Sequence, residues 1–142
     1  LNYEDILKKR YLKRYRKNRA LVNRLVLKLQ NLDEQIYKIR TTQFTDQPKG
    51  GQPLSINELL SDKVDLERRI ESLEKAGRVR KTEITRMIDT LDDPRYVTVL
   101  ELFCIECLDF DSIAYEMGYT RRHCERLYRE AIDNIVNDIS MT

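Results

Sequence analysis

The 142 residues carry 26 Lys and Arg against 24 Asp and Glu, a formal net charge of +2, with 41% hydrophobic and 35% charged residues. That is chain enough for one domain, or one small domain with an extension, and the charge suits long exposed helices better than one compact core. No apolar run is long enough to span a bilayer and no signal-peptide pattern is present, so with three cysteines a reducing cytosol is expected.

Only four Gly and three Pro interrupt the chain, which makes an all-α fold the default. Residues 1–31 hold ten Lys or Arg against Glu4 and Asp5, a local charge of +8. Lys8, Lys9, Arg10, Lys13, Arg14, Arg16, Lys17 and Arg19 are therefore candidates for a basic helix that meets phosphate or an acidic partner. A solvated helix face explains the same run about equally well. Val22, Leu25, Leu29, Leu32, Ile36 and Ile39 follow at alternating steps of three and four, and Asn18, Tyr15 and Tyr11 continue the stripe backwards. This is a heptad seam, the pattern that lays one helix along another. Pro48, Gly50, Gly51 and Pro53 then mark a loop over about 41–57.

A second heptad run takes Leu59, Lys63, Leu66, Ile70, Leu73, Gly77, Arg80, Ile84, Met87 and Leu91. Gly costs roughly 1 kcal/mol against Ala inside a helix, so Gly77 on the seam predicts a bend or a close helix approach. Two seams joined by one loop predict a long antiparallel helical hairpin, a coiled coil, over residues 1–91. A lone two-helix hairpin buries little, so it needs a second copy or the C-terminal domain beside it.

Residues 92–142 read as a separate three-helix domain of helix-turn-helix type. Asp93 and Pro94 suit the start of a helix running from 95 to about 107, since Pro lacks only an N–H that the first turn does not use. Residues 110–129 read FDSIAYEMGYTRRHCERLYR. Asp109 is placed to cap the first helix of the motif and Thr120 the second. Gly118 stands where a left-handed residue must end the first helix, and Ala114 where the two helices cross. Ile113, Met117, Cys124, Leu127 and Ala131 share the inward side.

The remaining side chains point to double-stranded DNA. In a helix-turn-helix the N-terminal part of the second helix enters the major groove. Arg122, Glu125 and Arg126 are the candidates for base edges, because arginine pairs with guanine and a carboxylate accepts from cytosine N4. Thr120, Arg121, His123 and Arg129, with Ser112 and Tyr115 on the first helix, are candidates for phosphate. The alternative is a helical hairpin that binds protein alone. Cys104, Cys107, His123 and Cys124 are a weak zinc pattern, since a helix carries these cysteines toward the core, and no metal or cofactor is expected. No nucleophilic triad, paired carboxylates or phosphate-binding loop is present, so no enzyme is expected.

The run Gly118-Tyr119-Thr120-Arg121-Arg122 with Cys124, Leu127, Ala131 and Ile132 resembles the last helix-turn-helix of bacterial sigma factors, region four. That resemblance implies that Arg121, Arg122, Glu125 and Arg126 face promoter DNA. The basic first helix, the Gly- and Pro-bearing loop, Ser61-Asp62-Lys63-Val64 and Asp93-Pro94-Arg95 make the whole chain similar to phage and integrative-element regulators of the ArpU/RinA kind. The resemblance implies a phage-type transcriptional regulator of late genes in the bacterial host cytoplasm, and the hairpin is expected to make it a homodimer or to present a surface to RNA polymerase. Two other functions fit a helix-turn-helix joined to a long hairpin. One is a DNA-packaging subunit like a small terminase, which would form a ring. The other is a protein-only adaptor or inhibitor of a host factor.

Overall fold

The computed structural model describes residues 3–42 and 56–135. Among them the fold is all-α: α1 (Tyr3–Leu12), α2 (Arg14–Thr42), α3 (Ile56–Ile88), α4 (Pro94–Leu100) with a π-helical turn at Glu101–Ile105, α5 (Phe110–Met117) and α6 (Arg121–Asn134). No described helix is long and apolar enough to cross a membrane. The loop expected over about 41–57 lies mostly outside the described residues; Thr42 ends α2 and Ile56 begins α3. At Lys13 the helical ladder continues, with Lys13 N donating to Lys9 O at 3.0 Å and Lys17 N to Lys13 O at 2.9 Å.

The chain forms two compact units, one of Leu1–Arg19 with Ala76–Thr142, the other of Ala20–Lys75. This differs from a boundary at residue 91. Leu12, Ile84 and Ile88 are fully buried in one cluster with Val99, Leu100, Cys104, Ile113, Cys124, Leu127, Ala131 and Ile132. The two ends of the predicted hairpin thus share one core with α4, α5 and α6. Each buried aliphatic side chain contributes roughly 1.5–3 kcal/mol, so Leu12, Ile84 and Ile88 enlarge a core that three short helices alone would leave small.

In the first unit, α2 and α3 run antiparallel. Arg14 meets Glu83 at 2.7 Å, and Asn18 lies against Gly77. Phe103, Phe110 and Tyr128 form an aromatic trio with centroids 4.8–5.5 Å apart. It ties the π-helical turn to α5 and α6. The turn itself is marked by Glu106 N donating to Glu101 O at 2.9 Å, a bond one residue longer than the α-helical one. Cys107 then adopts a left-handed backbone, φ 60°. Non-glycine residues seldom take that conformation, and no glycine signals it in the sequence.

The second unit is a two-helix hairpin in which Lys63 and Asp33 pair at 2.9 Å. Val22, Leu25, Ile36 and Leu59 are its buried apolar residues among those described. Leu29, Leu32, Ile39, Leu66, Ile70 and Leu73 stay half-buried, so much of the predicted seam is still wetted.

Candidate nucleic-acid interface

Local capping builds α5, the turn at Gly118 and α6. Asp109 accepts from Ser112 N at 2.8 Å and so starts α5. Gly118, φ 71°, ends it, and Tyr119 N donates to Ala114 O at 3.1 Å. The left-handed turn costs glycine nothing. Thr120 accepts from His123 N at 3.1 Å and so starts α6. Cys124, Leu127, Tyr128, Ala131 and Ile132 hold the buried side of α6 in the core. At 3.6 residues per turn this leaves Arg122, Arg126 and Arg129 together on the opposite side.

Thr120, Arg122, His123, Arg126 and Arg129 line one shallow concave surface. Among the described residues Arg122 and Arg129 form no ion pair, and both are exposed. Arg126 hydrogen-bonds His123 and lies 3.9 Å from Glu130, while the Tyr119 ring packs edge-on against His123 with centroids 4.6 Å apart. The surface is cationic, open and rich in planar donors, the chemistry that phosphate oxygens and guanine edges select.

Four of the predicted residues lie apart from that surface. Arg121 is held between Asp111 at 3.1 Å and Glu125 at 2.9 Å. Arg121 and Glu125 are thus engaged within the chain. Ser112 is exposed on α5, and Tyr115 is 86% exposed there. Asp111, which restrains Arg121 across the turn, carries no sequence signal of that role, because its partner is ten residues away.

The basic first helix divides. Lys8 is 6% exposed and its Nζ donates to Ile132 O at 3.4 Å, a cation on the last turn of α6. Arg14 is paired with Glu83. Arg16 donates to Phe103 O at 3.1 Å and Leu108 O at 2.9 Å while lying 4.3 Å over the Phe103 ring. These three cations are turned inward. Lys9, Lys13 and Arg19 are half-buried, and Arg10 and Lys17 are exposed.

Cys104 and Cys124 are buried and Cys107 half-buried, all as free thiols. Burial pushes the Cys104 thiol up to about 12, so it stays protonated at neutral pH. Among the described residues no three His, Cys, Asp or Glu are placed to hold a metal ion.

A family model described as "Protein of unknown function (DUF1492)" matches residues 38–136. No curated protein and no solved structure matches the chain.

Proposed function

The chain belongs to the DUF1492 family, whose description names no activity, and from that premise we propose that it is a sequence-specific double-stranded DNA-binding transcriptional regulator working as a homodimer. The observation that carries the reading is the concave surface of Thr120, Arg122, His123, Arg126 and Arg129. Thr120, Arg122, His123 and Arg126 lie at the start and on the N-terminal half of the second helix, the half that enters the major groove in helix-turn-helix motifs, and Arg129 follows one turn on.

In this reading Arg122 and Arg126 read base edges, Arg129 and the Thr120 hydroxyl grip phosphate, and Tyr115 and Ser112 extend the grip from α5. Arg121 exchanges its ion pair with Glu125 for a phosphate contact, and the released Glu125 carboxylate accepts from cytosine N4. The resemblance to sigma region four and to ArpU/RinA-type regulators supports a phage origin, a late-gene role and contact with RNA polymerase. The inward turn of Lys8, Arg14 and Arg16 weakens the adaptor alternative, which rests on that helix.

The test is binding of the purified chain to duplex DNA across a salt series. Affinity should fall steeply with salt, and Arg122→Ala or Arg126→Ala should cost about 1–3 kcal/mol on a specific site. Absence of salt-dependent binding at low ionic strength would end the reading.

A further inference from the structure

In the unit Ala20–Lys75, Lys28, Asn31, Leu32, Gln35, Asp62 and Leu66 line one shallow surface concavity. The Lys63–Asp33 pair fixes the antiparallel register of α2 and α3 at this point. Gln35 and Asp62 therefore stand at one end of the concavity and Lys28 at the other, roughly 9 Å apart along the hairpin at 1.5 Å per residue. Leu32 and Leu66, both half-buried, occupy the middle, while the four polar residues are exposed.

The charges at the two ends continue outward. Arg24 lies four residues before Lys28 on α2, and Glu58 four residues before Asp62 on α3, so each shares a helix face with its neighbour. Both are exposed. Lys38, three residues beyond Gln35, offsets part of the acidic end. The face is thus basic at one end, acidic at the other and apolar between. Among the described residues neither Lys28 nor Asp62 is in an ion pair.

We propose that this face docks a second copy of the chain about a two-fold axis through its centre. A face of one sign repels its own copy, whereas a two-fold axis that lies in the contact plane and runs perpendicular to the line from Lys28 to Asp62 lays the basic end of one copy on the acidic end of the other. Lys28 of each copy then meets Asp62 of the other, Leu32 and Leu66 cover their counterparts, and the Asn31 and Gln35 amides pair across the contact. The wetted seam of this unit gains the cover that two helices alone do not give it. The inference gives the homodimer of the proposed function its contact surface, and it stands or falls without DNA.

Sedimentation equilibrium of the full chain, without DNA, tests it. The wild-type chain should be a dimer. Because each contact occurs twice, Lys28→Glu or Asp62→Lys should each raise the dimer dissociation constant at least about tenfold. The double variant, with the charges exchanged, should return to within about threefold of wild type. Circular dichroism should show equal helix content in all four proteins, and Leu66→Ala offers a second, uncharged way to weaken the contact. A monomer at every concentration, a ring of many copies, unchanged dimerisation in the single reversals, or no recovery in the double variant would each overturn it. A monomer that still binds DNA would sink this contact and leave the reading helix intact; a dimer without DNA affinity would do the reverse.

Discussion

Asn18 occupies the space that a side chain at position 77 would need. A Cβ built on Gly77 would collide with Asn18 Oδ1 and stand 3.0 Å from its Cγ. Asn18 itself is 3% exposed. Both residues lie on heptad stripes, so the glycine on the second stripe answers the polar side chain on the first. Gly77 is conformationally ordinary; closeness, not backbone freedom, is what it provides.

Gly77→Ala should therefore destabilise the chain, although Ala is the better helix former by roughly 1 kcal/mol. Overpacking of this kind costs about 1–3 kcal/mol. In an Asn18→Ala background the same change should be neutral or stabilising. Urea denaturation of the four proteins in a double-mutant cycle measures the coupling. Additive effects would show that the two side chains do not compete for space.

Arg16 closes the π-helical turn. Its guanidinium bridges Phe103 O and Leu108 O and covers the Phe103 ring. Arg16→Ala should cost about 2–4 kcal/mol, since two carbonyls and a ring face lose their cover. Arg16→Lys should recover little, because an ammonium lacks the planar guanidinium face that covers the Phe103 ring while Nη1 donates to both carbonyls. Equal stability of Arg16→Lys and wild type in denaturation would contradict this role.

Stability should fall on both sides of a neutral plateau. A hydrogen bond from Arg14 holds the Glu83 carboxyl below its usual range, one from Arg95 does the same for Asp93, and the Ser112 N–H does it for Asp109. Folding lowers these values, so their stabilisation is full above the ordinary carboxylate range, near pH 4, and is lost as pH falls through the folded values. Burial raises Cys104 to about 12 and raises Tyr128 as well. Their stabilisation is full below the unfolded thiol and phenol values, near 8.5 and 10, and is lost as pH rises toward the folded ones. Thermal melts from pH 3 to 11, on the order of one pH unit apart, should show a plateau between about 5 and 8. Cys104→Ala should have a shallower alkaline limb, and an alkaline limb identical to wild type would remove burial of that thiol as its cause.

Local signals were the legible part of this chain. Asp93 with Pro94, Asp109, Gly118 and Thr120 each act on their own or the next few backbone groups, so their positions in sequence are enough to place α4, α5 and α6. The two long helices followed from their stripes. Long-range use of charge was not legible. Lys8 and Arg16 look like any other cation in a basic run, yet their acceptors lie 124, 87 and 92 residues away. The π-helical turn and left-handed Cys107 were hidden too, because no glycine or proline accompanies them. At the candidate interface, spacing alone grouped Arg122, Arg126 and Arg129. Spacing also places Arg121 and Glu125 one helical turn apart, but it could not show that Asp111, on the neighbouring helix, holds Arg121 as well.

The proposed function requires α6 to read base sequence through Arg122 and Arg126. Selection of bound duplexes from a random pool, run in parallel with the wild-type chain and with Arg122→Ala and Arg126→Ala, tests it most directly. The wild-type chain should enrich a defined site with two-fold symmetry, and each variant should lose preference at one or a few base positions while keeping salt-dependent affinity for DNA. An unenriched wild-type pool, or the same enriched site in all three proteins, would contradict it.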